Sequence, residues 1–358
     1  MDKRTLLALL LMMIVFMIFN QFVWKPKPVA TDASSPAQKS PQTSAPAPAT
    51  TDTLPAQPLA DSLLSSTVKA ETISLENDLM KVSFSSQGAS ITQVELKKFQ
   101  MHDGEAVKLI PGRQSIANLS LLHSDGDTPL QQVVFSSQVS PDGRGVNFFL
   151  GDPANPKLKK SYSLDSRYGI ALNVEANNLK PITGIELDFG SGIADTERAS
   201  KSKLQDYKFI YYADNVIERV ALSKFKKSRP AGTVHSFNWM ALRGKYFCLA
   251  LKENEPALMR SFSTGINPAT GNPSFSIDSR QGSPKQSWSQ SFRIYAGPND
   301  WTILKDYGKQ MDNIPERGVR WLRWLSDIFA WLLKFLHRYI KNYGVVLLVF
   351  AILMKLLL

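Results

Sequence analysis

Residues 168–176 read YGIALNVEA, with Tyr168, Ile170, Leu172 and Val174 at every second position. Apolar residues at alternate places put one face of an extended strand into a core and leave the other face free for water. The same period of two returns in Ile185, Leu187 and Phe189, and again in Trp288, Gln290, Phe292 and Ile294, where one member is polar. Between such runs stand SSQG, SPDGRG, GDPANP, LKPITG and NPATGNP. These are residues that reverse a chain within a few positions, and so suit antiparallel neighbours. No helix-length apolar period interrupts them before Pro298. Residues 67–314 are therefore expected to form one large antiparallel β-sandwich, with a short helix at NDWTILKDYGKQMD.

Outside that stretch, composition bounds the chemistry. The 358 residues are 43% hydrophobic and 20% charged, an ordinary globular balance, so most of the chain is expected to be soluble. The single cysteine, Cys248, excludes an internal disulfide. In KYFCLAL, Tyr246, Cys248 and Ala250 share one strand face while Phe247, Leu249 and Leu251 share the other, which makes the thiol a packing group. His102, His123 and His235 have no metal-ligand spacing, and there is no Gly-rich phosphate loop or nucleophile elbow. No catalytic residue, metal or cofactor is expected.

The two ends point to a membrane. After MDKR comes TLLALLLMMIVFMIFNQFVW, uncharged throughout and long enough to span a hydrocarbon core of ~30 Å. Lys25-Pro26-Lys27-Pro28 follows where a cleavage site of small residues would be needed, so residues 1–24 are expected to be an uncleaved transmembrane anchor. Lys3 and Arg4 on one side against Lys25 and Lys27 on the other leave its orientation open. Residues 25–66, rich in Pro, Ala, Ser and Thr without an apolar period, are expected to be a disordered tether. At the far end NYGVVLLVFAILMKLLL, residues 342–358, carries Lys355 within an apolar run. That run is shorter than the ~20 residues a span requires, and is expected to be the start of a second transmembrane helix in a longer chain.

The net charge of +11 is concentrated in Lys224, Lys226, Lys227 and Arg229 and in residues 317–341. In RGVRWLRWLSDIFAWLLKFLHRYIK the charges Arg320, Arg323, Asp327, Lys334, Arg338 and Lys341 recur at helical spacing, with Trp321, Trp324, Trp331 and many apolar residues between them. Such a basic amphipathic helix could pack on the sandwich, bind nucleic acid or lie in a membrane interface. Trp with Arg and Lys is the composition of a helix half sunk among lipid headgroups, and the position just before a membrane-class run favours that reading. Nucleic acid is disfavoured because the strand region has no basic stripe interleaved with aromatics.

The order of these segments resembles the YidC/Oxa family of membrane protein insertases: one span, a Pro-rich tether, a sandwich beginning near ETISLENDLMKVSFSSQGASITQVELKKF, an amphipathic helix, and NYG entering a second span. HSFNWMALRGKYFCLAL is similar to the family's W-x-A-L-x-x-K-Y-F segment through Trp239, Ala241, Leu242, Lys245, Tyr246 and Phe247. IYAGPNDWTIL is similar to its Y-x-G-P-K stretch, with Asn299 in place of the lysine. The resemblance covers this whole chain but only the first part of the family's length, whose five-span core begins at NYG. It implies a mostly β fold, a galactose-mutarotase-like super-sandwich held between transmembrane α-helices. It also implies a bacterial inner membrane of Gram-negative type, with the N-terminus in the cytoplasm and the large domain in the periplasm. The partners implied are nascent membrane proteins and lipids, the Sec translocon with its accessory subunits, and the ribosome through parts of the family's chain outside this sequence.

In that family the span after NYG carries a positive residue, usually arginine, facing a hydrophilic groove, and Lys355 matches its position. The lysine departs from the family's arginine, and Ala351 stands where relatives often place a small polar residue. Physical chemistry supports a weaker form of the same expectation. Lys355 would sit ~18 Å into a ~30 Å core, where an unpartnered charge costs about 2.5–3.5 kcal/mol. It must therefore face a wet cavity or snorkel to the interface. Trp321, Trp324 and Trp331 with Arg320, Arg323 and Lys334 are the expected anchors of the interfacial helix. The rival expectation is a membrane-anchored, carbohydrate-binding or sugar-modifying protein of the periplasm, on the strength of TVHSFNW, which partly matches an epimerase pattern around His235.

Overall fold

The computed structural model describes residues 69–190, 192–194, 196, 206–221, 237–254, 261–266, 273–279, 283–316 and 323–357. The expected anchor, the tether, the Lys224–Arg229 cluster and His235 lie outside them. In chain order the strands are β1 (Thr72–Glu76), β2 (Met80–Ser85), β3 (Ser90–Gln100), β4 (Ala106–Ile116), β5 (Asn118–His123), β6 (Gly126–Pro129), β7 (Ser136–Val139), β8 (Gly145–Leu150) and β9 (Leu158–Leu164). They continue as β10 (Gly169–Ala176), β11 (Gly184–Asp188), β12 (Lys208–Ala213), β13 (Val216–Ala221), β14 (Trp239–Arg243), β15 (Phe247–Glu253), β16 (Ser261–Ile266), β17 (Pro273–Asp278) and β18 (Trp288–Pro298). Three helices follow: α1 (Trp301–Leu304), α2 (Arg323–Tyr339) and α3 (Tyr343–Leu357).

Among the described residues the strands form three sheets: β1-β2-β3-β4, then β13-β12-β14-β15-β18-β10-β9-β8-β7, then β16-β17-β11-β5-β6. The domain is a β-sandwich in which every strand pairing is antiparallel. One apolar cluster runs through all three sheets. Ile170, Leu172 and Val174 of β10 are wholly buried, as are Ile185 and Leu187 of β11 to within 1%, so the period of two marks the core-facing side. Gln290, the polar member of its run, is buried with its needs met: its amide donates to Glu253 at 2.6 Å and its carbonyl accepts from Trp288 Nε1 at 3.2 Å.

In KYFCLAL, Phe247, Cys248, Leu249, Ala250 and Leu251 are all buried, because β15 lies inside the nine-stranded sheet, and Tyr246 precedes the strand half exposed. Burial raises the Cys248 thiol far above its ordinary pKa, which keeps it a packing group. The segment NDWTILKDYGKQMD is not one helix. α1 spans four residues, capped by Asp300 accepting from Thr302 N, and a 3-10 turn follows at Met311–Asn313. Gln310 between them holds φ at 66°, outside helical geometry.

That segment is a strap across the nine-stranded sheet. Trp239 Nε1 donates to Lys309 O at 2.9 Å and Arg219 to Asn313 O at 2.7 Å. The Tyr307 hydroxyl donates to Asp165 at 2.9 Å and accepts from Tyr168 N at 3.0 Å. At its end Glu316 pairs with Lys208 and stands 3.4 Å from Arg243.

Candidate membrane-facing site

α2 and α3 meet at a short joint. The His337 ring stacks on Tyr343 at 3.8 Å between centroids, and its Nδ1 lies 3.1 Å from Ile340 O, beside the last carbonyls of α2. Asn342 opens α3 by accepting from Gly344 N at 2.8 Å. The helices touch through Phe329 and Phe350, edge to face at 5.6 Å, and Val346 of α3 is wholly buried.

The apolar residues of α2 fall into two sets by exposure. Phe329, Leu332, Leu333 and Leu336 are partly buried. Trp324, Ile328, Trp331, Phe335 and Tyr339 are 44–71% exposed, and their spacing of four, three, four and four makes them one stripe. Trp331 stacks on Phe335, which meets Tyr339 edge to face, so the stripe is continuous over its second half. Asp327, Lys334 and Arg338 are exposed on the flank of this stripe. Arg323 begins the helix, while Arg320 and Trp321 lie outside the described residues.

Lys355 is exposed in the last turn of α3. It follows Phe350, which meets α2, by five residues, about 140° around the helix axis, which turns it away from that contact. Gly344, Leu348 and Ala351 share its side, and all three are exposed. Among the described residues no helix is long and apolar enough to cross a membrane. Among the described residues the site thus presents two exposed faces: an aromatic stripe flanked by cations on α2, and an apolar face ending in one ammonium on α3. The sequence singled out the tryptophans of α2; the stripe that Ile328, Phe335 and Tyr339 form beside them follows the same i, i+3, i+4 spacing.

Residues 72–332 match the model of the YidC periplasmic domain family. A membrane protein insertase YidC of Syntrophus aciditrophicus is 25% identical over 387 aligned residues, covering all of this chain and 70% of the relative. One from Geotalea uraniireducens is 24% identical, covering all of this chain and 68% of the relative. One from Chlorobaculum parvum is 23% identical, and there the chain spans 64% of the relative's length. Among solved structures, a crystal structure of an active YidC insertase aligns over 84% of this chain and 59% of its own at 15% identity, TM-score 0.39. A galactose mutarotase related enzyme from Lactobacillus acidophilus aligns over 63% of this chain and 97% of its own at 12% identity, TM-score 0.42. With the family's domain matched through well over half of the residues, from the first strand into the amphipathic helix, the chain belongs to the YidC family of membrane protein insertases.

Proposed function

We propose that this chain assists nascent membrane proteins into a bacterial inner membrane, and that its segments divide the work. Residues 1–24 anchor the chain with its N-terminus in the cytoplasm, residues 25–66 tether, and residues 67–314 form a periplasmic platform. Residues 317–341 lie in the headgroup layer, and residues 342–358 begin the second transmembrane helix. The observation that carries the proposal is the exposed stripe Trp324, Ile328, Trp331, Phe335 and Tyr339 beside Lys334 and Arg338. Left in water, each such side chain forgoes about 1.5–3 kcal/mol of burial. At a membrane surface the aromatic rings enter the acyl boundary while the cations stay among anionic headgroups.

Insertion itself needs no covalent step, and the family is one of insertases and not of enzymes. A nascent segment carries a polar tail that is costly to draw through hydrocarbon. A wet groove shortens the dry path, a fixed positive charge attracts an acidic tail, and the apolar segment then partitions into lipid. In this reading Lys355 supplies the charge, on the side of α3 turned away from α2. The Sec translocon, its accessory subunits and the ribosome are proposed as partners on the family relationship alone. The sugar-handling rival rests on the partial match at TVHSFNW, whose His235 lies outside the described residues, and on a fold likeness, which carries no function.

The test is fluorescence quenching by brominated lipids in the reconstituted chain, read as the difference between the parent and the double variant Trp324→Phe, Trp331→Phe. Bromines placed near the headgroups should quench this difference signal more than bromines deep in the acyl chains. Quenching equal at all depths, or none, would mean that α2 covers protein instead of lipid.

A further inference from the structure

The four-, nine- and five-stranded sheets meet at one lysine. Lys160 on β9 is wholly buried. Its register partners are Phe148 of β8 and Val174 of β10, and its Nζ lies 5.5 Å from the centroid of the Tyr162 ring. Phe84 of β2 closes this apolar box, 4.8 Å from the same ring. Lys160 donates to Ala117 O at 2.5 Å and to Gly88 O at 3.5 Å, and the Tyr162 hydroxyl, one step along the same strand face, donates to Ala89 O at 2.8 Å.

Those three carbonyls belong to two backbone segments that need holding. Gly88 and Ala89 form the turn between β2 and β3 with φ of 72° and 46°, and Ala117, the link from β4 to β5, has φ of 59°. Alanine in the left-handed region is strained, since its Cβ crowds the following carbonyl. The turn lies in the four-stranded sheet, the Ala117 link leads from that sheet into the five-stranded one, and Lys160 stands in the nine-stranded sheet. A hydrophobic residue could fill the box but could not satisfy the carbonyls. An uncharged amine has two N–H groups, matching the two carbonyls it meets, whereas an ammonium adds a third N–H and a charge that, among the described residues, faces the Tyr162 ring and no carboxylate.

We propose that Lys160 is a proton-linked latch at this three-sheet junction: as an amine it holds the Gly88–Ala89 turn and the Ala117 link closed, and opening of the junction takes up a proton. Burial, with no charged group contributing, lowers Lys160 from 10.5 to about 7. Tyr162, the titratable group facing it, is moved further from neutrality by its own burial and stays protonated. The sign follows from linkage. Opening returns the lysine to water and to its ordinary value, so between about pH 7 and 10.5 the opened form binds the extra proton, and each unit of rising pH disfavours opening by up to about tenfold. Below about pH 7 both forms are protonated and the dependence ends.

Hydrogen exchange on the full chain in lipid nanodiscs, corrected for the intrinsic rate, reads this directly at pH 7, 8 and 9. Peptides covering residues 84–92 and 115–120 should gain protection by about fivefold from pH 7 to 8 and by nearly tenfold from pH 8 to 9, while a peptide across β12 and β13 stays flat. Lys160→Met should abolish the slope. Should that variant fail to fold, Tyr162→Phe keeps the amine and should loosen the Ala89 turn at every pH while retaining the slope. Flat protection in the parent, the same slope in Lys160→Met, loss of the slope in Tyr162→Phe, or a slope shared by β12 and β13 would each overturn the latch.

Discussion

Gly169 shows what alternation conveys and what it omits. It opens the strand whose period of two marks the sandwich, and it was legible only as a position between apolar neighbours. In the structure a Cβ there would stand 2.1 Å from Asp165 Oδ2 and 2.7 Å from the Tyr307 ring. Asp165 and Tyr307 are the pair that fastens the strap over the sheet, so the glycine is needed by a residue far along the chain. Gly169→Ala should therefore force the strap outward, and overpacking of this kind typically costs about 1–3 kcal/mol. Thermal unfolding should record a clear loss of stability, and an unchanged midpoint would mean that the strap yields without cost. Lys160 was legible in a different way. Leu158, Lys160, Tyr162 and Leu164 alternate, which already turns the lysine inward, but the carbonyls it meets come from two other sheets and leave no trace nearby in sequence.

At the scale of the element, α2 was readable in its charges and in its type. Arg323, Asp327, Lys334 and Arg338 fall at helical spacing, and the aromatic content between them pointed to an interface. The spacing already sets the stripe apart, but which side of α2 is covered was not readable, because it depends on contacts such as that of Phe329 with Phe350 of the next helix. The open face separates two contributions that can be measured apart. Replacing Lys334 and Arg338 by Gln should lower affinity for anionic vesicles by about 1 kcal/mol for each charge near the surface, roughly fivefold each, and flatten the salt dependence. Trp331→Ala should weaken binding to anionic and neutral vesicles alike and leave the salt slope as it was. A Trp331→Ala variant that binds as the parent does would remove the stripe from the interface.

For the molecule as a whole, the sandwich class followed from strand period and turn chemistry, and the meander β1-β2-β3-β4 follows chain order. The nine-stranded sheet was beyond sequence reading. It places β18 between β15 and β10, a long-range pairing that many runs of similar alternation could equally have made. Lys355, Trp324 and Trp331, singled out from the sequence, are all exposed, and their roles stand as proposals. The structure adds that Lys355 stands on the side of α3 turned away from its contact with α2, which leaves the ammonium for whatever approaches that face.

If Lys355 acts on passing substrate as proposed, its charge should matter more than the particular side chain. Attraction between an ammonium and a carboxylate in a partly wet groove is non-directional, so Lys355→Arg should support insertion even though the two residues differ at bidentate sites. The most direct measurement is an insertion assay in cells depleted of their own insertase. It would compare the parent with Lys355→Glu, at matched protein levels, on substrates that differ only in carrying an acidic or a neutral tail. Lys355→Glu should impair the acidic-tailed substrate and largely spare the neutral one. Insertion of the acidic-tailed substrate as efficiently as by the parent would contradict the account and leave Lys355 as a lysine that merely reaches for the interface.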